Sequence, residues 1–566
     1  MGKKLFLVIL AVAIFSSNAA FGDVEINTTN FPDEIFRTYV SENFDDNSDN
    51  ILTSDDISYV TWIDVQGMGI SSVKGIEFFT ALEGLNCDEN NLKEIDLSSN
   101  VNLNWLSVYS NDLEALDLSK NTSLDYLSCH NNRIRKLDLS NNTQLTYLRC
   151  RYNEITELDL TNNTLLETIN CRDNPSLSKL DVSKCTLLKE ITTGRCNLTE
   201  LDVTNCPLLD ELNCSHNNLT TLDVSKNTKL RELTCGFNAL KTIDVTKNIL
   251  LELLAFYDNE NIAEIDVTNN PELYHLECQV NSLTELDITK NLKLTYLNCG
   301  SNDLKVLDVS KYTKLEHLEC YRCNLTELDV TNNPELTYLD ADVNNLTELD
   351  VSKNPKLETL WVDRSPISEI DLTHNPELVN FYCYKTLISE LDLSKNPKLQ
   401  ALYCYSNDLL ALDLSNNPSL DIVSMDTNLT VLDIKLAVTS SDNASYPYKA
   451  NMADCVGENI ANITSLTAFG ENDSEISARY SASTGIAEFA NLPDTVVYFY
   501  NTGYTGTSQN VPKTMQVTVT AEFVASSNIT PTPENPTTHR SSGGGGCNFG
   551  FGFFWLSLAA LTIMKK

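Results

Sequence analysis

The stretch Leu325–Leu336 reads LTELDVTNNPEL, and it returns as LTELDVSKNPKL at 346–357. Looser copies recur along most of the 566-residue chain, each with one aspartate between two aliphatic residues. These 17 aspartates follow one another at steps of 21 residues, with two steps of 22 and a last step of 20: Asp96, Asp117, Asp138, Asp159, Asp181, Asp202, Asp223, Asp244, Asp266, Asp287, Asp308, Asp329, Asp350, Asp371, Asp392, Asp413 and Asp433. A fixed period of this length predicts a solenoid, because one repeat alone cannot bury its apolar face and must stack on its neighbours.

The repeat unit is LxxLxCxxNxLxxLDVxxNxx, and its two halves share the same apolar spacing and the same closing asparagine. This nested pattern resembles the bacterial leucine-rich repeats of the IRREKO class. The resemblance implies a mainly β fold: a parallel leucine-rich-repeat solenoid of about 17 coils over residues 82–435, with a short strand from each half-repeat. We expect a small helical cap at 23–81 and a small β-sandwich-like or barrel domain at 436–524, where Val/Thr/Tyr-rich segments replace the repeats.

Cysteines follow the same period. Eleven of the 17 cysteines occupy the sixth position of the unit, where the other repeats carry mostly apolar residues, so this position is predicted to be a core slot. Four more replace an asparagine at the turn: Cys185, Cys196, Cys206 and Cys323. A disulfide network in an exported protein and a zinc site remain alternatives, although a parallel stack spaced by 21 residues fits neither geometry well.

The file of aspartates is predicted to be structural. Leucine and valine of the LDV motif must face the core, so strand alternation sends the aspartate outward or into the turn. In 16 of 17 copies a Ser or Thr follows two residues later, a pattern typical of Asx turns and local capping. A catalytic site needs one pair of carboxylates with different pKa values rather than equivalent copies. A ladder of calcium sites remains the alternative.

Aromatic residues collect at the outward positions 3, 5 and 7 of the first half-repeat. Trp105, Tyr126 and Tyr147 line early coils. The denser late group is the predicted ligand-binding site: Tyr338, Trp361, Tyr382, Tyr384, Tyr403 and Tyr405. Trp361, Tyr382 and Tyr403 share position 5, which predicts that they stack as neighbours. Exposed aromatics on a rigid sheet suit protein ligands and sugars, but a cross-strand ladder that only stabilises the sheet is an equal alternative.

An acidic segment in the cap has the spacing of an EF-hand calcium loop, with oxygen-bearing side chains at loop positions 1, 3, 5 and 12. The predicted calcium ligands are Asp45, Asn47, Asp49, the backbone carbonyl of Ile51, and Asp56. Asn50 stands at position 6, where the chain must adopt a left-handed conformation that asparagine tolerates. The loop resembles that of dockerins, although dockerins carry two such loops and only one is found. A solvated acidic turn is the alternative.

Both ends of the chain carry the features of export and sorting signals. Residues 1–22 combine two lysines with a short apolar run and small residues, which predicts a cleaved secretory signal peptide rather than a membrane span. Residues 525–546 are predicted to be a disordered linker. In 547–566, Cys547 follows four glycines and precedes a short apolar run and two lysines. This order resembles GlyGly-type sorting signals of Synergistetes surface proteins and implies processing or membrane anchoring at Cys547; an uncleaved anchor is the alternative.

The formal net charge of −38 argues against a nucleic-acid partner, since phosphates require a basic surface. The domain order loosely resembles that of internalins, bacterial cell-surface leucine-rich-repeat proteins. This implies a surface-anchored, non-enzymatic protein that binds an extracellular protein or glycan. Two alternatives remain: a structural surface-layer component, and an enzyme that degrades polysaccharides. The enzyme hypothesis is weakened because the chain has no GxSxG motif and its six histidines are scattered along the sequence. The ligand and the oligomeric state stay open.

Overall fold

The computed structural model describes residues 22–424, 428–441, 443–446, 448–470, 474–504 and 514–523. Of the predicted signal peptide, only Gly22 falls within these ranges, and the linker and the segment with Cys547 lie outside them. The described chain forms a small cap, a long solenoid and a second sheet. In this part of the chain no helix has the length and apolar character needed to cross a bilayer.

The cap is a short helical unit that closes the first coil. Its elements are β1 (Val24–Glu25), α1 (Glu34–Phe44), β2 (Ile51–Leu52), α2 (Ser54–Ile57) and a 3-10 turn (Ile76–Phe78), with β1 and β2 antiparallel. Asp33 caps α1 by accepting the backbone N–H of Phe36, one of the first-turn amides that have no partner within the helix. Phe31 and Phe36 are fully buried against the solenoid core. Gly75 has a φ of 108°, and a Cβ there would lie 2.2 Å from the Phe31 ring, so this contact requires glycine.

The solenoid is built on one parallel sheet of short strands, one from the first half of each repeat. These strands are β3 (Trp62–Asp64), β4 (Gly84–Asn86), β5 (Trp105–Ser107), β6 (Tyr126–Ser128), β7 (Tyr147–Arg149), β9 (Thr168–Asn170), β11 (Glu190–Thr192), β12 (Glu211–Asn213), β13 (Glu232–Thr234), β14 (Leu253–Ala255), β15 (His275–Glu277), β16 (Tyr296–Asn298), β17 (His317–Glu319), β18 (Tyr338–Asp340), β19 (Thr359–Trp361), β20 (Asn380–Tyr382), β21 (Ala401–Tyr403) and β22 (Ile422–Ser424). Neighbours pair in register, and no described pairing joins β22 back to β3, so the sheet is open.

The parallel leucine-rich-repeat solenoid is confirmed, with two corrections. The sheet begins one coil earlier than predicted, because Trp62–Asp64 of the expected cap pairs with Gly84–Asn86. The expectation that each half-repeat forms a strand was also too general. In the described second halves only β8 (Glu157–Asp159) and β10 (Lys179–Asp181) pair as strands. Most second halves are turns, in which the aspartate side chain accepts the backbone N–H of the Ser or Thr two residues on, as Asp329 does from Thr331. Asp159 and Asp181 make the same hydrogen bond at the ends of β8 and β10.

Turn asparagines satisfy the backbone groups that such short strands leave unpaired. The Nδ2 of Asn142 donates to the backbone carbonyls of Leu118 (3.1 Å) and Asn121 (2.9 Å) in the preceding coil. The thiol of Cys185 donates to the equivalent carbonyls of Leu160 and Asn163. Cysteine therefore replaces asparagine at these turns, as predicted from the repeat alignment.

The sixth-position cysteines are core residues, as expected. None of the 16 cysteines in the described residues forms a disulfide, and all but Cys196 are buried. Burial raises the pKa of Cys129 to about 12. Because the thiolate is the form that attacks disulfides and binds metals, this column of thiols is chemically inert while the coils stay stacked.

The C-terminal domain is a small β domain, as predicted, and of the two expected forms it is closer to a barrel than to a sandwich. Its elements are β23 (Asn428–Ser440), β24 (Tyr448–Asn451), α3 (Ala453–Val456), a 3-10 turn (Gly457–Asn462), β25 (Ile463–Gly470), β26 (Ser474–Ile476), β27 (Ala478–Ser481), β28 (Ile486–Phe489), β29 (Thr495–Asn501) and β30 (Thr514–Phe523). Hydrogen bonds join these eight strands into one mixed sheet, in the order β26-β25-β29-β30-β23-β24-β28-β27. Strands β25 and β27, from opposite sides of the sheet, approach each other, so the sheet is curled.

The predicted boundary at 435/436 lies inside β23, which pairs with β30 from Asn428 onward. Asp433 therefore belongs to the C-terminal sheet rather than to a solenoid turn. The reason is local: Lys435 stands where the other repeats have Ser or Thr, so the turn motif is missing and the strand continues. Hydroxyls of Tyr498 and Tyr504 donate to the backbone carbonyls of Leu410 and Leu420, which ties this sheet to the last coils.

Candidate ligand-binding face

The outward surface of the long sheet carries the side chains that vary between coils. Each strand buries its central residue and turns the two flanking residues outward; in β17, Leu318 is fully buried between the partly exposed His317 and Glu319. Adjacent parallel strands lie about 4.8 Å apart, so residues at one repeat position form straight columns. We call this surface the sheet face.

The predicted stacking of late aromatic residues is present. Trp361 and Tyr382 stack with ring centroids 3.6 Å apart, and Tyr382 stacks on Tyr403 at 4.8 Å. In the next column Tyr384 stacks on Tyr405 at 4.6 Å. All five side chains are partly exposed. We call these five residues, together with Tyr338, the late aromatic patch.

Tyr338 belongs to a column that the sequence did not reveal. His275, Tyr296, His317 and Tyr338 occupy position 3 of four consecutive coils, and their rings stack at 4.1, 4.3 and 4.2 Å. His275 and His317, which look scattered along the sequence, are therefore members of one ordered stack. Each donates through Nε2 to the carboxylate of a glutamate on its own strand: His275 to Glu277 and His317 to Glu319, both with Nε2–Oε1 distances of 2.7 Å.

An early column mirrors the late ones. Trp62 lies 4.9 Å from Trp105, which stacks on Tyr126 at 5.1 Å, and Tyr126 stacks on Tyr147 at 4.7 Å. Rings in the middle of a column, such as Tyr126, Tyr296 and Tyr382, lie between two neighbouring rings, whereas a ring at the end of a column has a ring on one face only. The middle rings offer a ligand their edges and polar groups, which suit polar and carbonyl groups better than the flat face of a sugar.

Three carboxyl groups beside the late aromatic patch were also missed. Asp340, Asp342 and Asp363 come from two neighbouring coils, and the Asp363 side chain is fully buried. Burial, together with the neighbouring acids, raises the pKa of Asp340 to about 8 and that of Asp363 to about 8. Burial also raises the pKa of Asp342, although Arg322 and Arg364 oppose this. Asp340 and Asp363 thus favour the protonated form at neutral pH, as carboxylic acids in apolar surroundings do.

The repeated aspartates form turns, as their spacing predicted. In each described solenoid copy Oδ1 accepts the backbone N–H of the Ser or Thr two residues on, as from Thr246 to Asp244 at 2.9 Å. These hydrogen bonds lower the pKa of Asp244. On the side of the solenoid formed by the second half-repeats, a groove of about 1250 Å³ runs over the late coils, lined by Asp329, Asp350 and neighbouring glutamates. These aspartates are exposed to solvent, which screens their mutual repulsion and explains how a file of like charges is tolerated.

The predicted calcium loop folds as a tight acidic turn. Asp45 is buried and accepts the backbone N–H groups of Asp49 (3.2 Å) and Asn50 (2.9 Å), and Asn47 donates to Asp49 at 3.1 Å. Asn50 has a φ of 64°, the left-handed conformation expected at its position. Asp56 turns away to accept the N–H of Thr53, where it caps α2. Ile51 lies in β2 opposite Glu25.

The turn therefore brings together Asp45, Asn47 and Asp49 and leaves Asp56 outside the group. In the described residues no three His, Cys, Asp or Glu side chains are grouped closely enough to hold a metal ion. Rotation of the Asp56 carboxylate would be needed to complete the predicted ligand set.

Comparison with known proteins identifies the fold. No protein-family model and no curated protein sequence matches the chain. The functional domain of InlJ from Listeria monocytogenes, described as including a cysteine ladder, is 29% identical over 89% of this chain and 99% of that one, with a TM-score of 0.57. YopM from Yersinia enterocolitica is 21% identical over 69% and 95%, with a TM-score of 0.53. The plant peptide hormone receptor RGFR1, in complex with RGF2, is 18% identical over 64% and 68%, with a TM-score of 0.56.

Proposed function

We propose that this chain is a cell-surface protein that binds an extracellular protein through the late aromatic patch and catalyses no reaction. The observation that carries the proposal is the group of six partly exposed aromatic side chains on four consecutive coils of one rigid sheet. Rigid aromatic side chains lose little entropy on binding and are enriched at interface hot spots. The receptor RGFR1, which shares the fold, is described as bound to a peptide hormone partner.

A protein ligand fits the patch better than a glycan. Sugars stack on the faces of aromatic rings, but Tyr382 is covered on both faces by Trp361 and Tyr403. Ring edges and tyrosine hydroxyls remain, and they match the carbonyl and carboxyl groups of a polypeptide.

The acids beside the patch do not favour an enzyme. A glycosidase needs one protonated and one ionised carboxyl group, whose pKa values are pushed apart by their surroundings. Burial instead raises the pKa values of Asp340, Asp342 and Asp363 together. Protonated carboxylic acids can donate hydrogen bonds to a bound peptide, which is a binding role.

Surface display is part of the proposal. The nested repeats support membership of the IRREKO class, and the segment 547–566 supports sorting to the cell surface with Cys547 as the processed residue. Protease added to intact producing cells should release the solenoid. Full protection of the solenoid until the cells are lysed would contradict display.

Loss of the late rings should abolish ligand binding. The purified protein is screened against a panel of secreted and extracellular-matrix proteins, and the triple variant Trp361→Ala, Tyr382→Ala, Tyr403→Ala is tested on every hit. We expect Kd to rise at least 100-fold, since each truncated hot-spot ring costs about 2 kcal/mol or more.

The matched control is Ile249→Ala, Leu292→Ala, Val306→Ala, which removes three exposed apolar side chains elsewhere. It should leave Kd unchanged, and both variants must keep the wild-type circular dichroism spectrum. An equal rise of Kd in both variants would indicate non-specific adhesion to apolar side chains. Self-association without any hit would support the surface-layer alternative and contradict the proposal.

We also propose that the loop from Asp45 binds calcium. Calcium that binds the folded state alone should raise the free energy of unfolding by about 2.7 kcal/mol at a concentration of one hundred times Kd. Thermal unfolding is followed with calcium and with chelator. Asp45→Ala, Asp49→Ala should abolish the difference.

The control pair Asp46→Ala, Asp55→Ala removes the same charge next to the loop without touching the predicted ligands and should keep the full calcium response. A wild-type melting temperature that does not change with calcium would leave the segment as a solvated acidic turn.

A further inference from the structure

Arginines gather at one place on the sheet face of this otherwise acidic protein. Arg149 ends β7, where it lies opposite Asn170 of β9 and Ser128 of β6. Arg151 and Arg172 follow at position 7 of the same two coils, which remain hydrogen-bonded there. We call Arg149, Arg151 and Arg172 the arginine cluster.

Two of the three arginines lack an anionic hydrogen-bond partner in the described chain. Among the described residues the side chains of Arg149 and Arg151 make no hydrogen bond or ion pair, and the Nε of each is buried. Arg172 is the exception, with Nε 2.8 Å from Asp173. By contrast Arg133 and Arg135, which are more exposed and lie on the flank, each pair with a carboxylate at 2.8 and 2.9 Å.

Like charges crowd the same space. Burial and the neighbouring Arg149 lower the pKa of Arg151, and burial together with Arg149 and Arg151 lowers the pKa of His130 to about 4. Glu190 is the other acid that faces Arg149, but it forms no ion pair with it, and burial raises its pKa. An anion that arrives from outside would satisfy the unpaired guanidinium donors and reduce this repulsion.

We propose that the arginine cluster binds carboxylate side chains in an acidic segment of the protein ligand. This inference rests on the proposed function, because it assigns a second contact to the same ligand. Guanidinium groups hold carboxylates through two parallel hydrogen bonds. The adjoining column of Trp105, Tyr126 and Tyr147 presents ring edges, which carry positive partial charge and favour anions, while its covered faces offer no stacking surface for sugars or bases.

The test measures binding of poly-L-glutamate to the purified protein at about 150 mM salt, where distant charges are screened. Arg149→Met, Arg151→Met should raise Kd at least tenfold. The control Arg133→Met, Arg135→Met makes the same change in net charge and should alter Kd less than twofold. Arg149→Lys, Arg151→Lys should give an intermediate Kd, since lysine keeps the charge but cannot bind bidentately.

Three outcomes would overturn the inference. The first is that the wild type does not bind poly-L-glutamate. The second is that Kd rises equally in both methionine variants. The third is that polygalacturonate binds more tightly than poly-L-glutamate and loses affinity in Arg149→Met, Arg151→Met, which would identify an acidic glycan as the ligand. Folding is checked by the melting temperature of the Arg149→Met, Arg151→Met variant, which should not fall because mutual repulsion is removed. The Trp361→Ala, Tyr382→Ala, Tyr403→Ala variant should bind poly-L-glutamate normally, so failure of the late aromatic patch and failure of the arginine cluster are distinguishable.

Discussion

Replacing Asn259 with leucine is expected to lower the free energy of unfolding by about 2–6 kcal/mol. Asn259 is fully buried, and its Nδ2 donates to the backbone carbonyls of Cys235 (3.1 Å) and Phe256 (2.9 Å). Its Oδ1 accepts the backbone N–H of Leu240 at 3.0 Å. Leucine has a similar volume but leaves the Leu240 N–H without a partner in the core, which costs about 1–3 kcal/mol. The two carbonyls keep a second donor, from Asn238 at 3.0 Å and Asn281 at 3.3 Å, so each loses one hydrogen bond worth about 0.5–1.5 kcal/mol.

Because each coil of a solenoid touches only its neighbours, the damage should divide the array at this coil. Urea denaturation should show an earlier or second transition, and limited proteolysis should cut near residue 259.

Asn259→Cys is the matched control. Cys196 and Cys323 occupy the same repeat position, and their thiols donate to carbonyls of the preceding coil at 3.4 and 3.2 Å. The cysteine variant should lose less than half as much stability. A leucine variant as stable as the wild type would show that the asparagine ladder does not hold the coils together.

The interior of the solenoid was predictable because every coil meets the same environment, another coil. Its ends were not. Trp62 forms the first strand without a full repeat around it, since one side of that coil packs on the cap instead. At the other end β23 runs past Lys435, with a bulge between Val431 and Lys435, in a different sheet, where its partners in β30 lie 85–88 residues further along the chain. Such a distant pairing leaves no periodic signal.

The sheet face was predictable where position within the repeat decides the outcome. Trp361, Tyr382 and Tyr403 share a position and stack accordingly. His275 and His317 also share a position, two periods apart, and their column would have been found by reading histidines in repeat register rather than along the chain. The raised pKa values of the nearby acids could not be predicted from the sequence, because the burial of these acids depends on the side chains of adjacent coils.

Raising the pH from about 6 to about 8 is expected to destabilise the protein, and Asp363→Asn should remove much of this loss. Burial raises the pKa of Asp363 to about 8, with smaller contributions from Asp342 and Asp340, whereas an aspartate in the unfolded chain ionises near ~3.9. Between these values the folded protein holds a proton that the unfolded chain has released. The free energy of unfolding therefore falls as the pH rises, by up to ~1.4 kcal/mol per pH unit for this group.

Asparagine keeps the shape and the acceptor for the Tyr384 backbone N–H, which lies 2.7 Å from Oδ1, but carries no charge. The stability advantage of Asp363→Asn over the wild type should grow by about 2–4 kcal/mol between pH 5 and pH 8 in urea denaturation. His130, with its pKa lowered to about 4, makes stability rise with pH below ~6.5 in both proteins, so the difference between them is the informative quantity. Asp371→Asn is the control, because turn hydrogen bonds lower the pKa of Asp371 and it stays ionised throughout this range. If the two stability curves run parallel, Asp363 is an ordinary carboxylate, and the late aromatic patch meets its ligand beside a permanent negative charge instead of a neutral hydrogen-bond donor.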